Sequence, residues 1–379
     1  MRYRQLGKTN LMVSEIGLGA EWLERHTGPE CRAVIDTCEE LGINILDCWM
    51  SNPAVRSNIG DAIEGRREKW YIQGHLGSTW QNGQYVRTRD MDKVIPAFED
   101  LLTRLKTDYI DLGMIHYVDT VEEWNTIING PFLKYMLEQK EKGVIRHIGL
   151  STHNPATAKV AAESGLVEMI LFSINPAFDL MPASARLNDY YGEYDAALEG
   201  IDPARAELYQ LCEQKRIGIT VMKGFAGGRL FDADRSPFGV TMTPVQCIHY
   251  ALTRPGVASI MVGCDTPDHV REAVSYETAA EEEKNYAAVL ANAPRHAFSG
   301  QCTYCGHCQP CYQSIDIAMV NKLYDLAVMQ PEVPASVRAH YQALEHTAAE
   351  CIGCAACETR CPFHVPIAAR MRQAAELLG

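Results

Sequence analysis

The sequence predicts a closed (β/α)8 barrel followed by a small, mainly helical domain. Three observations carry this. Eight short apolar runs alternate with longer amphipathic stretches over about 270 residues, the length of one such barrel. Most of the runs are uninterrupted, as strands of a parallel sheet buried on both faces are. The chain then changes character: eight of its fourteen cysteines fall between Cys302 and Cys361. An open, doubly wound sheet is the alternative for the first part. It would carry a glycine fingerprint after its first strand, and LGAEWLE has none.

The elements follow in order. SEIGLGA closes a strand near Gly19. Residues 31–41 have helical spacing, and Gly42 stops them. INILD (43–47) is a buried strand and NIGDAIEG a short helix. WYIQG (70–74) is a strand, followed by a polar loop and a helix over 91–105. YIDLGMIH (109–116) is a strand, and residues 121–142 form one helix ending at Gly143. IRHIGLS (145–151) precedes a helix over 155–164. MILFSI (169–174) is a strand, and a long polar loop leads to a helix over 203–216. IGITVMK (217–223), a helix over 244–252, ASIMVG (258–263) and a helix over 267–275 complete eight units. The domain boundary is expected near residue 290, giving a barrel over 1–290 and a second domain over 291–379.

Hydrophobic content of 47% and charged content of 22% are those of an ordinary globular protein. A net charge of −13 argues against nucleic acid and anionic membrane, both of which need basic patches. No apolar run reaches the roughly 18 residues of a membrane span. The start, MRYRQLGKTN, has no apolar signal segment. A cytoplasmic location is expected.

The cysteines near the end are the most specific signal. Cys302, Cys305, Cys308 and Cys311 stand three apart, and Cys351, Cys354 and Cys357 repeat the spacing before Cys361-Pro362. The second run fits C-x2-C-x2-C-x3-C-P, a ligand pattern for 4Fe–4S clusters. The first has two residues before Cys311 and Tyr312 in place of Pro. Two such runs imply two clusters. In two-cluster ferredoxins the fourth Cys of each run serves the other cluster. One expected ligand set is therefore Cys302, Cys305, Cys308 and Cys361; the other is Cys351, Cys354, Cys357 and Cys311. A four-cysteine zinc site is the competing reading. A disulfide framework suits a small chain in an oxidising compartment and fits poorly. The remaining cysteines (Cys31, Cys38, Cys48, Cys212, Cys247, Cys264) sit among apolar neighbours and read as buried thiols. Between the runs, IDIAMVNKLYDLAV and PASVRAHYQALEH have helical spacing, and IAARMRQAAELLG forms a terminal amphipathic helix. The linker is thus helical, unlike the short hairpins of small ferredoxins.

In a barrel of this kind, chemistry sits at the C-terminal ends of the strands. Those ends present Asp47, His75, His116, Ser151-Thr152-His153, Lys223 and Gly263. Each alone reads equally well as a hydrogen-bonded structural residue. Several from separate strands at one mouth make a candidate site.

At this point the residues resemble a known family. MRYRQLGKTNLMVSEIGLG is similar to the opening of aldo-keto reductases, and INILD, TDYIDLGMIH, KGVIRHIGLSTHN and IMVG resemble later segments in the same order. The cysteine-rich tail resembles the bacterial branch with a C-terminal ferredoxin-like domain. The resemblance implies carbonyl reduction with a nicotinamide cofactor across the barrel mouth, by an Asp, Tyr, Lys and His tetrad. Carried over by position, Asp47 and His116 match the Asp and His. The Tyr falls on Asn52 and the Lys on His75. Asn cannot act as a general acid near neutral pH, whereas His75 can. Of the cofactor contacts, Ser151, Thr152, Lys223, Gly227, Gly228 and Glu272 keep usable chemistry. The amide-binding Gln falls on Leu171, and the basic residue for a 2′-phosphate falls on His269.

The expectation is an iron–sulfur oxidoreductase. It would pass electrons between its clusters, with or without NADH or NADPH, and a small carbonyl- or hydroxyl-bearing substrate; a redox partner protein is possible. Two alternatives are carried beside it. One is a non-redox barrel enzyme with a metal held by Asp47, His75 and His116 and with structural clusters. The other is an electron-transfer protein with an inactive barrel. The loops 78–89 and 180–198, with Trp80, Tyr85, Tyr190, Tyr191 and Tyr194, are expected to line the substrate.

Overall fold

The computed structural model describes residues 1–180, 201–291, 300, 302, 304–306, 308–329 and 331–379. Strands β1 (Tyr3–Gln5) and β2 (Met12–Ser14) form an antiparallel hairpin. The barrel strands are β3 (Ile16–Gly19), β4 (Ile45–Cys48), β5 (Tyr71–Leu76), β8 (Ile110–Ile115), β9 (Ile145–Thr152), β10 (Met169–Ser173), β11 (Gly218–Met222) and β12 (Val257–Gly263). They pair in parallel in that order, and β12 closes on β3. The eight-stranded closed barrel expected from the periodicity is what the chain forms. A second hairpin, β6 (Ser78–Gln81) and β7 (Gln84–Arg87), stands between β5 and β8.

The helices of the barrel are α1 (Gly28–Glu40), α2 (Pro53–Ile63), α3 (Met91–Arg104), α4 (Val121–Ile128), α5 (Pro131–Glu141), α6 (Pro155–Ser164), α7 (Pro176–Asp179), α8 (Pro203–Lys215), α9 (Pro244–Leu252), α10 (Pro267–Val274) and α11 (Tyr286–Ala291). The single helix expected over 121–142 is two. Pro131 has no N–H to give to the preceding turn, so it starts a new helix as its first residue. The expected polar loop after β5 is a hairpin, for a reason that lies in its turn. Asn82 (φ 51°) and Gly83 (φ 78°) both adopt the left-handed region that a tight two-residue connection requires.

The barrel interior is filled by Ile45, Leu112, Met114, Met169, Leu171, Ala258 and Met261, joined by Leu6 and Val13 of the first hairpin. Full burial of such a side chain contributes roughly 1.5–3 kcal/mol. The hairpin therefore stops the strand-start end of the barrel. Gly7 shows how closely: a Cβ there would lie 2.3 Å from the backbone nitrogen of Gly218, which begins β11. The strand-end side is left as the mouth.

The tail is helical: α12 (Ile317–Val328), α13 (Ala335–Gln342) and α14 (Ile367–Leu378). Arg370 of α14 bonds Asn321 and Asp325 of α12, pinning the two cysteine segments together. Helix α12 packs on α8, where Lys322 pairs with Glu213. This face is the base of the barrel. Arg4, Gly7, Arg216 and Gly256 share one groove with Tyr304, Met319 and Lys322. Among the described residues no helix is long and apolar enough to cross a membrane.

Candidate active site and cysteine centres

The mouth holds a row of hydrogen-bonded polar groups above the apolar interior. Asp47 ends β4 and Gln73 lies opposite it on β5. Gln73 Nε2 donates to Asp47 Oδ1 at 2.8 Å, and Thr220 Oγ1 of β11 donates to Gln73 Oε1 at 2.8 Å from across the barrel. The Asp47 carboxylate is thus aimed from below. His75 Nε2 stands 2.9 Å from the same Asp47 oxygen, and His75 Nδ1 stands 2.9 Å from His116 Nδ1. The far nitrogen of His116, Nε2, lies 2.8 Å from the Tyr85 hydroxyl on β7. Trp49 stacks on the His116 ring (centroids 5.8 Å, interplanar 11°) and meets Tyr85 edge-on.

Burial and charge set the protonation of this row. His116 is held well below the ordinary imidazole range, first by burial, then by the charges of His75, Arg89, Arg87 and His153. A neutral His116 has one N–H. In the resting arrangement Tyr85 donates to His116 Nε2, His116 Nδ1–H to His75 Nδ1, and His75 Nε2–H to Asp47. Tyr85 itself is raised by burial, against the pull of Arg87 and Arg89, so it keeps its proton. Arg89, brought down to about 10 by burial, still carries charge at neutral pH. It bonds Glu123 and the backbone carbonyls of His116 and Tyr117, and Arg87 bonds the Tyr117 carbonyl as well. These arginines fasten the hairpin to the end of β8 and so fix Tyr85 over His116.

This geometry revises two expectations. The metal reading of Asp47, His75 and His116 does not fit. His75 lies between the other two with one ring nitrogen turned to each, so the three form a line and not a chelate. Among the described residues no three His, Cys, Asp or Glu side chains are arranged to hold one ion. Nor does His75 face the mouth directly. It is 2% exposed and both its nitrogens are engaged, whereas Tyr85 is 37% exposed. Sequence reasoning placed Tyr85 among the loop aromatics. The Asn82-Gly83 turn between two β-prone runs was the signal that would have put it on a rigid ribbon.

Asn52 caps helix α2, its side-chain oxygen accepting from the Ala54 N–H at 2.9 Å. Ser151 and Thr152 end β9 and are buried. Thr152 donates to Asp119, which also receives the His153 N–H. Lys223 follows β11 with φ 59°, and its carbonyl accepts from Asn175. Gly227 and Gly228 lie in the next turn with φ 64° and 82°. Glu272 is on α10, after β12. Leu171 packs into the apolar interior. His269 Nδ1 accepts the Asp265 N–H, so that nitrogen carries no proton there. Tyr190, Tyr191 and Tyr194 lie outside the described residues.

In the tail, Cys302, Cys305, Cys308 and Cys361 line one hollow together with Tyr304 and Phe363. Cys311, Cys351, Cys354 and Cys357 line a second. Arg360 holds the two segments in place by bonding the carbonyls of Cys308 and Pro310. Burial pushes the thiols of Cys302 and Cys308 up to about 12. The six other cysteines are all buried, as their neighbours suggested.

The sequence profile of the Aldo/keto reductase family matches residues 15–244. The uncharacterized oxidoreductase YqkF of Bacillus subtilis is 32% identical over 189 residues, which are 48% of this chain and 58% of that protein. Methylglyoxal reductase DkgB of Escherichia coli O157:H7 is 33% identical over 135 residues, 35% of this chain and 46% of that one. The chain thus spans about half the length of the curated relatives it matches. A holo-form aldo-keto reductase from Bacillus halodurans superposes with TM-score 0.59 at 23% identity, over 75% of this chain and 94% of that one. That likeness is one of fold.

Proposed function

The chain belongs to the aldo/keto reductase family, and from that premise we propose that it is an iron–sulfur oxidoreductase acting on a small carbonyl- or hydroxyl-bearing substrate in the barrel mouth. Residues 1–290 would be the reacting barrel. Residues 291–379 would be a ferredoxin-like domain holding two 4Fe–4S clusters, in a protein that works in the cytoplasm, where thiols stay reduced.

The observation that carries this reading is the grouping of the tail cysteines. Each hollow is lined by three thiols of one run and the fourth of the other. The donor set is all thiol, which suits iron–sulfur clusters. Cys302, Cys305, Cys308 and Cys361 would hold one cluster, and Cys311, Cys351, Cys354 and Cys357 the other. When bound, the clusters supply one-electron transfer. Their thiols must lose protons on binding, so assembly would be pH-dependent.

At the mouth, Ser151, Thr152, Lys223, Gly227, Gly228 and Glu272 are the groups available to a nicotinamide. Leu171 has no polar atom for a carboxamide and His269 no fixed charge for a 2′-phosphate, so any nicotinamide would bind weakly. His116 and Tyr85 would orient a carbonyl oxygen, and Asp47 and His75 lie behind them. Arg254, just before β12, lines the base groove together with Tyr304, and Tyr304 borders the first hollow. Strand β12 then runs seven residues to the mouth, roughly 20 Å at strand rise. Electrons passing between clusters and substrate would cross that length. Tyr312 (77% exposed) and Ile352 (63%), beside the outer hollow, mark where a redox partner protein would approach.

Anaerobic preparation with iron and sulfide analysis tests the reading, followed by visible spectra under NADH, NADPH and dithionite. Clusters bleached by dithionite and partly by a nicotinamide are expected. Stoichiometric zinc without sulfide would overturn it.

A further inference from the structure

We propose that Tyr85 is the group that hands a proton to the substrate, and that Asp47, His75 and His116 form a relay that resupplies it. The inference deepens the oxidoreductase reading and rests on it for the identity of the acceptor, a carbonyl oxygen.

The relay is a continuous file of contacts, each of 2.8–2.9 Å: Asp47 Oδ1 to His75 Nε2, His75 Nδ1 to His116 Nδ1, and His116 Nε2 to the Tyr85 hydroxyl. Both ring nitrogens of each histidine are spent within it. No imidazole nitrogen is left to reach a substrate, and Tyr85 is the first member with exposure to the mouth. The inner end is held by Gln73 and Thr220. The outer end is held by the hairpin, through Arg87 and Arg89 on the Tyr117 carbonyl and Thr79 on Val86.

The file has two proton arrangements, and they differ in which way the phenol points. With both histidines neutral, Tyr85 donates inward to His116 and has nothing to offer outward. When His75 takes up a second proton beside Asp47, its Nδ1–H donates to His116 Nδ1. The His116 proton then sits on Nε2 and donates to Tyr85. The Tyr85 hydrogen is released toward the mouth. Were a reduced nicotinamide to supply hydride to a carbonyl carbon there, the C=O π pair would move to oxygen and that oxygen would take the Tyr85 proton. The phenol oxygen recovers a proton from His116 Nε2, and His116 Nδ1 recovers one from His75 Nδ1. One hydride and one proton have entered the product, and His75 is left neutral, still bonded to Asp47.

Among the described residues, charged and aromatic groups of other elements bear on the relay. Arg87 and Arg89 on and after β7, with His153 after β9, bear on His116 with like charge. Tyr117, after β8, meets the His116 ring edge-on. The cations disfavour a proton resting on His116, and Asp47 faces His75. His116 is therefore a conduit and His75 the store.

The test uses the full-length holoprotein with benzaldehyde and NADH as the turnover probe, and histidine side-chain 15N NMR as an independent readout. Tyr85→Phe is expected to lower kcat about a hundredfold with little change in KM. In the NMR spectra, wild-type His75 and His116 should titrate as one linked step. Tyr85→Phe should shift His116 Nε2 and leave the link between the two rings intact. Full turnover by Tyr85→Phe, or independent titration of His75 and His116, overturns the relay. Linked titration in a wild type that does not reduce the aldehyde supports the relay and counts against the carbonyl-reductase reading alone.

Discussion

The Tyr85 hydroxyl lies 2.8 Å from Nε2 of His116, although one residue belongs to a hairpin outside the barrel wall and the other follows strand β8. Neither element can fix that distance alone. Arg87 and Arg89 reach from the hairpin to the backbone at His116–Tyr117 and hold it. The mouth therefore depends on an inserted ribbon as well as on the strands.

The relay and the ribbon make separable predictions. His75→Gln, with clusters unharmed, should lower turnover about a hundredfold between about pH 6 and 8, where His titrates. His116→Gln should act on turnover as well as on substrate binding, because it cuts the file. Asn52→Ala should act mildly, through loss of a helix cap worth about 1 kcal/mol. Steady-state kinetics across that pH range check all three; normal turnover by His75→Gln would refute its role.

Gly83→Ala tests the ribbon without touching a reacting group. At φ 78° an alanine is strained by roughly 1–2 kcal/mol. The expected outcome is a fall in turnover with unchanged iron content and a nearly unchanged melting temperature. A fall in melting temperature matching global unfolding would mean that the hairpin is part of the barrel's own stability.

The tail should bind about eight irons per chain with matching sulfide. Cys354→Ala is expected to lose about half the iron and to loosen the tail, because ligand binding free energy is also folding free energy. Metal analysis and proteolysis of the tail measure the two effects. Unchanged iron in this variant would remove Cys354 from the ligand set.

Nicotinamide affinity should be poor. A carboxamide facing Leu171 lacks one partner, a loss on the order of 1–3 kcal/mol, or about tenfold to a hundredfold in affinity. Preference should lean to NADH, since His269 supplies no fixed charge. Submicromolar NADPH binding by calorimetry would contradict this.

Glu168 predicts an acid limb of stability. Burial pushes its carboxyl up, but hydrogen bonds from His147 and Lys140 outweigh this and hold it at about 2 instead of 4.5. A depressed folded value contributes stability above the ordinary value and loses it as pH falls from about 4.5 toward 2. Allowing for solvent screening, the contribution is on the order of 1–2 kcal/mol. Glu168→Gln should melt lower than wild type at pH 6, and the gap should close below about pH 4. A constant gap across the range would assign the effect to packing.

The barrel was legible because its strands are buried on both faces: runs such as IDLGMI leave periodicity little to confuse. Strand ends then pointed to Asp47, His75 and His116. What the sequence did not reveal was the direction of each ring. Imidazoles at strand ends suit a metal or a relay equally well, and only the placement of His75 between Asp47 and His116 separates the two. Tyr85 was hidden because its partner is 31 residues away and no local pattern links them. The split at Pro131 was readable from proline chemistry alone, yet a strong apolar stripe on both sides masked it.

The base groove, where Arg4 and Gly7 meet Met319 and Lys322, has a consequence for how the protein is made. Residues of the first hairpin wait there for residues of α12, which are made much later. N-terminal units fold first during synthesis, so a nascent chain can finish its mouth while its floor is still open. Completion of the floor is deferred until the tail is released. A molecule caught before that point would carry a sound mouth over an unsealed floor, and quality-control proteases would meet it first at the open base.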